Sequence, residues 1–205
     1  MTRKLIFPVA FLSVIIFSCT KESIKNPAES ASPSRDAAQT EAITGYTTYT
    51  IKQGQHYCDK SSLKYVSTAE MKFYAKFDQT AIYTAVIPEN QYDINKLYGF
   101  SEGFDNQYNS ARMGWGYSNG SIRLYGYVYS KGVRYSREIT TVLPGEDVTS
   151  SIKVSGSTYI ITANGISVTL PRGTTTSKAN GWQQYPYFGG NEVAPHNVYI
   201  YIKPF

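Results

Sequence analysis

From residue 46 onward, apolar and polar positions alternate with a period of two in short runs separated by turn residues, the pattern of half-buried β-strands. The segment 111–135 shows it best. Ser118-Asn119-Gly120 and Ser130-Lys131-Gly132 each end in the glycine that a tight hairpin turn requires, so the segment reads as three strands and two turns. In the middle strand Ile122, Leu124 and Val128 point one way, and Arg123, Tyr125, Tyr127 and Tyr129 point the other. Within 70–77, Met71, Phe73, Ala75 and Phe77 form the apolar side; within 198–203 Val198, Ile200 and Ile202 do so, with Tyr199 and Tyr201 opposite.

The same reasoning predicts strands at 46–52, 70–77, 81–87, 96–100, 111–117, 122–129, 133–142, 151–154, 158–163, 166–170 and 198–203. Asn164-Gly165 is a further two-residue hairpin signal, and a short helix fits only within 59–69. Many short strands without helical periodicity predict an all-β antiparallel β-sandwich, most simply a jelly roll, over residues 46–205.

The first residues have another character. Arg3 and Lys4 precede an apolar run, 5–17, which is shorter than the ~20 residues needed to span a bilayer and reads as a secretion signal over 1–18. Its end, Ile16-Phe17-Ser18-Cys19, resembles the lipobox of bacterial lipoproteins. The resemblance implies lipidation of Cys19, and Thr20 in place of an aspartate implies sorting to the outer membrane, with the exposed face left open. Residues 19–45 are rich in Ser, Ala, Thr, Pro, Glu and Lys. They cannot bury enough apolar surface to offset their ordering entropy and read as a disordered tether.

Composition narrows the chemistry. The formal charge is +5, of which Arg3 and Lys4 belong to the signal, and the remaining basic residues form no run, so nucleic acid is not an expected partner. With Cys19 lipidated, Cys58 has no disulfide partner; His56 shares its strand face, but a small buried thiol is the simpler reading. Two histidines are too few for a zinc site. Calcium stays open, because Glu102, Asp105, Asn106 and Asn109 crowd one loop and Asn191 and Glu192 another.

Tyrosine is the unusual feature, 19 in all. Tyrosine rings stack on the C–H faces of sugars and offer a hydroxyl at low side-chain entropy, so a tyrosine-lined sheet suits a polysaccharide or oligosaccharide. Arg123, Tyr125, Tyr127, Tyr129, Tyr199 and Tyr201 are the expected lining, with Arg112 beside them. The aromatic loop 185–196 adds Tyr187, Glu192 and His196, and its Gly189-Gly190 pair implies backbone pressed against something. Trp115 is a further neighbour, but Arg112 and Trp115 have opposite parity, so both face the groove only if Gly114 or Gly116 marks a bulge; otherwise Trp115, on one face with Met113 and Tyr117, belongs to the core.

Asn109-Ser110-Ala111-Arg112-Met113-Gly114-Trp115, Leu124-Tyr125-Gly126-Tyr127-Val128-Tyr129 and the 185–196 loop together resemble the concanavalin-like jelly roll of secreted proteins and lipoproteins in glycan-degrading Gram-negative bacteria, over 96–205. That resemblance implies lectin-like modules, glycoside hydrolases or polysaccharide lyases as relatives. A retaining hydrolase needs two carboxylates ~5 Å apart, and no strand carries a Glu-x-Asp or Glu-x-Glu pair. The expectation is therefore an outer-membrane lipoprotein that binds glycan without cleaving it. Two alternatives stay open: a lyase using His196, Arg112 and Tyr127, and a structural or protein-binding lipoprotein whose tyrosines only stabilise sheets.

Overall fold

The computed structural model describes residues 44–205; the signal, Cys19 and nearly all of the tether lie outside them. Twelve strands are arranged in two six-stranded antiparallel sheets. In chain order they are β1 (Thr47–Ile51), β2 (Tyr65–Thr68), β3 (Glu70–Phe77), β4 (Asn95–Ser101), β5 (Ser110–Ser118), β6 (Ser121–Ser130), β7 (Val133–Val142), β8 (Asp147–Ser155), β9 (Thr158–Ala163), β10 (Ile166–Pro171), β11 (Ala179–Gln184) and β12 (Val198–Pro204). One sheet runs β1-β12-β3-β8-β9-β10 and the other β2-β11-β4-β5-β6-β7.

The turns behave as their residues require. Asn119-Gly120, Lys131-Gly132 and Asn164-Gly165 all have positive φ at both positions, the backbone whose twist matches that of the flanking strands. Between the sheets lie Phe73, Phe77, Leu97, Phe100, Met113, Trp115, Leu124, Ile152, Ile161 and Ile200, each fully buried and each contributing on the order of 1.5–3 kcal/mol by leaving water. Trp115 is thus core, as its parity with Met113 requires.

Two expectations fail locally. Residues 81–87 form no strand: Gln91 Oε1 accepts the Ala85 N–H, and the Glu192 carboxylate accepts those of Val86 and Ile87, so side chains take the donors a ladder would use. Residues 59–69 hold β2 instead of a helix, paired through Tyr65 to Trp182 on β11, a strand that the sequence pattern did not suggest.

Candidate functional site: a cationic cavity on one sheet

The site begins with a β-bulge. β4 pairs with β5 in one register at Lys96↔Gly114 and in a shifted one from Tyr98↔Met113 onward. Leu97 and Tyr98 consequently both point into the core, and Lys96 emerges on the outer face; a regular strand would have put Lys96 on the same side as Tyr98 and Phe100. A reciprocal pair of 2.9 Å backbone bonds between Lys96 and Tyr187 then fixes the aromatic loop beside it. The loop's glycines let it close down. A Cβ on Gly189 would lie 2.4 Å from Ile94 O and 2.5 Å from the Lys96 ammonium, and one on Gly190 would strike the Asp93 carboxylate.

Lys96, Arg112 on β5, Tyr127 and Tyr129 on β6, Arg134 on β7, Gln183 and Gln184 on β11, and Tyr187 border a cavity of about 500 Å³. Among the described residues no aspartate or glutamate lines it. The Lys96 ammonium lies 4.9 Å from the centre of the Tyr127 ring, and the Arg112 guanidinium lies 5.4 Å from it. Arg112 is only 7 % exposed, makes only long bonds to Asn106 O (3.4 Å) and Ser110 Oγ (3.5 Å), and leaves its Nε without a partner. A buried guanidinium with no carboxylate to neutralise it is costly to the fold and ready to receive an anion.

The electrostatics follow. Burial, then Arg112 and Arg134, push the Lys96 amine down to about 8. Burial lowers Arg112 as well, only partly offset by the surrounding tyrosines. Tyr127 is raised to about 12, first by burial and then by Tyr129, so its phenol stays protonated.

The structure brings together Arg112, Tyr127, Tyr129 and Tyr187 and separates the other expected residues. Arg123 and Tyr125 share the outer face of β6 but lie outside the cavity. Arg123 is held by Glu138 at 2.8 Å, and the Tyr125 side chain packs over Gly114 and Gly116. Tyr199 and Tyr201 belong to β12 in the opposite sheet, where Tyr201 donates to Asp78 at 3.0 Å, so they cannot extend this surface. His196 donates from Nε2 to Thr80 O at 2.9 Å and does not line the cavity. Glu192 is occupied in receiving the Val86 and Ile87 amides and the Asn90 side chain.

Glu102, one of the oxygens suggested for calcium, accepts two bonds from Arg172 (2.6 and 2.9 Å) and others from Thr174 and Tyr159. Asp105 and Asn109 receive backbone amides of Gln107 and Lys131. Among the described residues no three His, Cys, Asp or Glu side chains are grouped to hold a metal ion. Cys58 borders the cavity, but burial raises its thiol to about 11, and His56 donates to Phe188 O while stacking on Tyr187.

Lys96, Arg134, Gln183 and Gln184, with Ser61 and Gln107, also line the cavity and carry no signal in the sequence pattern.

No protein-family model matches the chain, and no curated protein does. Among solved structures it is similar to the alginate lyase AlyC3, with TM-score 0.51 and 11 % identity over 78 % of this chain and 74 % of that one. It also matches the family 7 alginate lyase A1-II′ (TM-score 0.49, 12 % identity, 80 % and 82 % covered) and LamAcat from Zobellia galactanivorans (0.47, 11 %, 78 % and 75 %). The architecture is therefore a jelly-roll sandwich; at such identities the similarity speaks of fold alone.

Proposed function

We propose that this protein is an outer-membrane lipoprotein, anchored through Cys19, that binds an acidic, uronate-containing polysaccharide in the cavity around Arg112. The observation that carries the reading is the buried Arg112 guanidinium, with no carboxylate partner among the described residues, in a cavity that Lys96 and Arg134 also line and to which no described acidic side chain contributes. A uronate carboxylate would supply the missing anion through charge-assisted bonds, and the rings of Tyr127, Tyr129 and Tyr187 would meet the sugar's C–H faces. That alginate lyases share the jelly-roll fold agrees with this substrate class. The test is calorimetric titration with alginate and with a neutral β-glucan. Alginate binding that is lost in Arg112→Met supports the reading, and equal binding of both glycans removes it.

A second reading, polysaccharide lyase, is favoured by Lys96. An amine whose value falls to about 8 is partly neutral near physiological pH and can act as a base. With the carboxylate neutralised by Arg112, neutral Nζ would take the proton from the ring carbon beside the carboxylate. The adjacent carbon–oxygen bond would break as the double bond forms, and Tyr127 would give its phenolic proton to the leaving oxygen. Proton return from the Lys96 ammonium to the phenolate, through water, restores the site. His196 has no part in this scheme. Appearance of the ultraviolet absorbance of an unsaturated uronate is its direct assay.

A further inference from the structure

The loop 102–109 joins the cavity to a second feature. Asn106 and Gln107 border the cavity, and Phe104, two residues earlier, is 83 % exposed. Its ring lies 5.0 Å from that of Trp182 on β11, and Tyr65 on β2, 60 % exposed, meets Trp182 edge-on at 5.7 Å. Trp182 and Gln184 have the same parity on β11, and Tyr65 is the Cα partner of Trp182, so the three rings share the face to which Gln184 brings the cavity wall. Asn106 donates to Gln184 Oε1 at 3.2 Å, so the cavity and the aromatic row abut.

An exposed phenylalanine on a mobile loop would be unremarked, but this loop is braced. Glu102 is gripped by the buried Arg172, its amide donates to Asn109 O at 2.8 Å, and Gly103 N donates to Asn180 O at 3.1 Å. Gly181 admits that close approach, since a Cβ there would lie 2.2 Å from Ser101 O. The fold thus holds Phe104 and Tyr65 in water against a half-buried tryptophan, where hydrophobic burial gives no reason to keep them.

We propose that Phe104, Trp182 and Tyr65 form a distal sugar-stacking subsite, over which a polysaccharide chain seated at Arg112 continues across β11 toward β2. This rests on the acidic-glycan reading and extends it: the ligand is a chain longer than the cavity, held at one end by charge and at the other by aromatic faces. In strand order the row on β2 and β11 lies directly beside β4, β5 and β6, which carry Lys96, Arg112 and Tyr127.

The test compares an alginate disaccharide with long-chain alginate by titration calorimetry on wild type, Phe104→Ala, Tyr65→Ala and Arg112→Met. Phe104→Ala and Tyr65→Ala are expected to weaken the long chain by about three- to tenfold each and to leave the disaccharide unchanged. Equal loss for both ligands, or loss for neither, overturns the subsite, as does a wild type that binds both lengths equally. Wild-type protein that binds neither ligand overturns the acidic-glycan reading, and the subsite falls with it. Arg112→Met reports on that reading alone, through loss of both lengths together.

Discussion

The guanidinium of Arg112 lies 5.4 Å from the centre of the Tyr127 ring, and among the described residues no carboxylate borders the cavity that the two residues share. A ring face attracts the cation but leaves its N–H groups short of acceptors, and Nε has none. Stability and binding therefore pull in opposite directions at this position. Arg112→Met is expected to stabilise the fold by about 1–3 kcal/mol, because it removes an unsatisfied buried polar group. The same change is expected to weaken an acidic glycan by about ten- to a hundredfold. Thermal melts and titration calorimetry on one preparation check both signs.

Arg172 and Glu102 make the opposite kind of pair. Their side chains are 0 % and 7 % exposed, 2.6 Å apart, and every nitrogen of Arg172 has an acceptor. Arg172→Met leaves Glu102 buried and uncompensated and is expected to cost about 3–5 kcal/mol in denaturant unfolding. Burial acts to raise the Glu102 carboxyl, but the bonds from Arg172, Tyr159 and Thr174 outweigh it and leave the group below its ordinary value. Its contribution is therefore complete above an unfolded value of about 4.3 and is lost as pH falls through the lower folded value. Glu102→Gln should flatten the acid limb of the stability–pH curve and lower the plateau at neutral pH.

Gly99 carries a different constraint. A Cβ there would lie 2.1 Å from Ala111 O and 2.7 Å from Arg112 Cα, both backbone atoms of β5. Gly99→Ala must push β5 away at the residue that carries the cavity's buried cation. We expect a loss of about 1–3 kcal/mol in stability together with weaker acidic-glycan binding, checked by melts and titration as for Arg112.

The strand pattern made the sandwich legible, because period-two alternation depends only on each strand's two faces. Val133–Val142 and Thr158–Ala163 occupy the residues that the pattern predicts. Parity also separated Arg112 from Trp115. Parity cannot say which sheet a strand joins, so the pattern groups Tyr199 and Tyr201 with Tyr127 although β12 lies in the other sheet. Nor can it foresee a bulge. Lys96 reaches the cavity only because the ladder slips between Lys96 and Tyr98, opposite Gly114; a glycine on β5 can hint at a bulge, but not that the extra residue sits on β4 and turns Lys96 outward. β11, which supplies Gln183 and Gln184, lacks a run of β-branched residues: Ala-Asn-Gly-Trp-Gln-Gln becomes a strand by pairing with β2 and β4. The Gly189-Gly190 pair does mark a close approach, and what it approaches is Ile94, Lys96 and Asp93.

The pH dependence at Lys96 separates binding from elimination. Burial and the two arginines set the amine at about 8, so below that pH the cavity holds a third cation and above it a neutral base. Binding of an acidic glycan gains from the ammonium and is expected to weaken as pH rises through about 8. It should also weaken with added salt at any pH, since the attraction is screened. Elimination needs the neutral amine, so its rate under subsaturating glycan should rise over the same interval until binding loss overtakes it. Lys96→Arg keeps the charge and removes the base: it is expected to flatten the binding profile and to abolish any unsaturated product. Lys96→Met should flatten the profile at the weaker, high-pH level. A binding profile that still bends near pH 8 in both variants would assign the titration to another group and remove Lys96 from the site's chemistry.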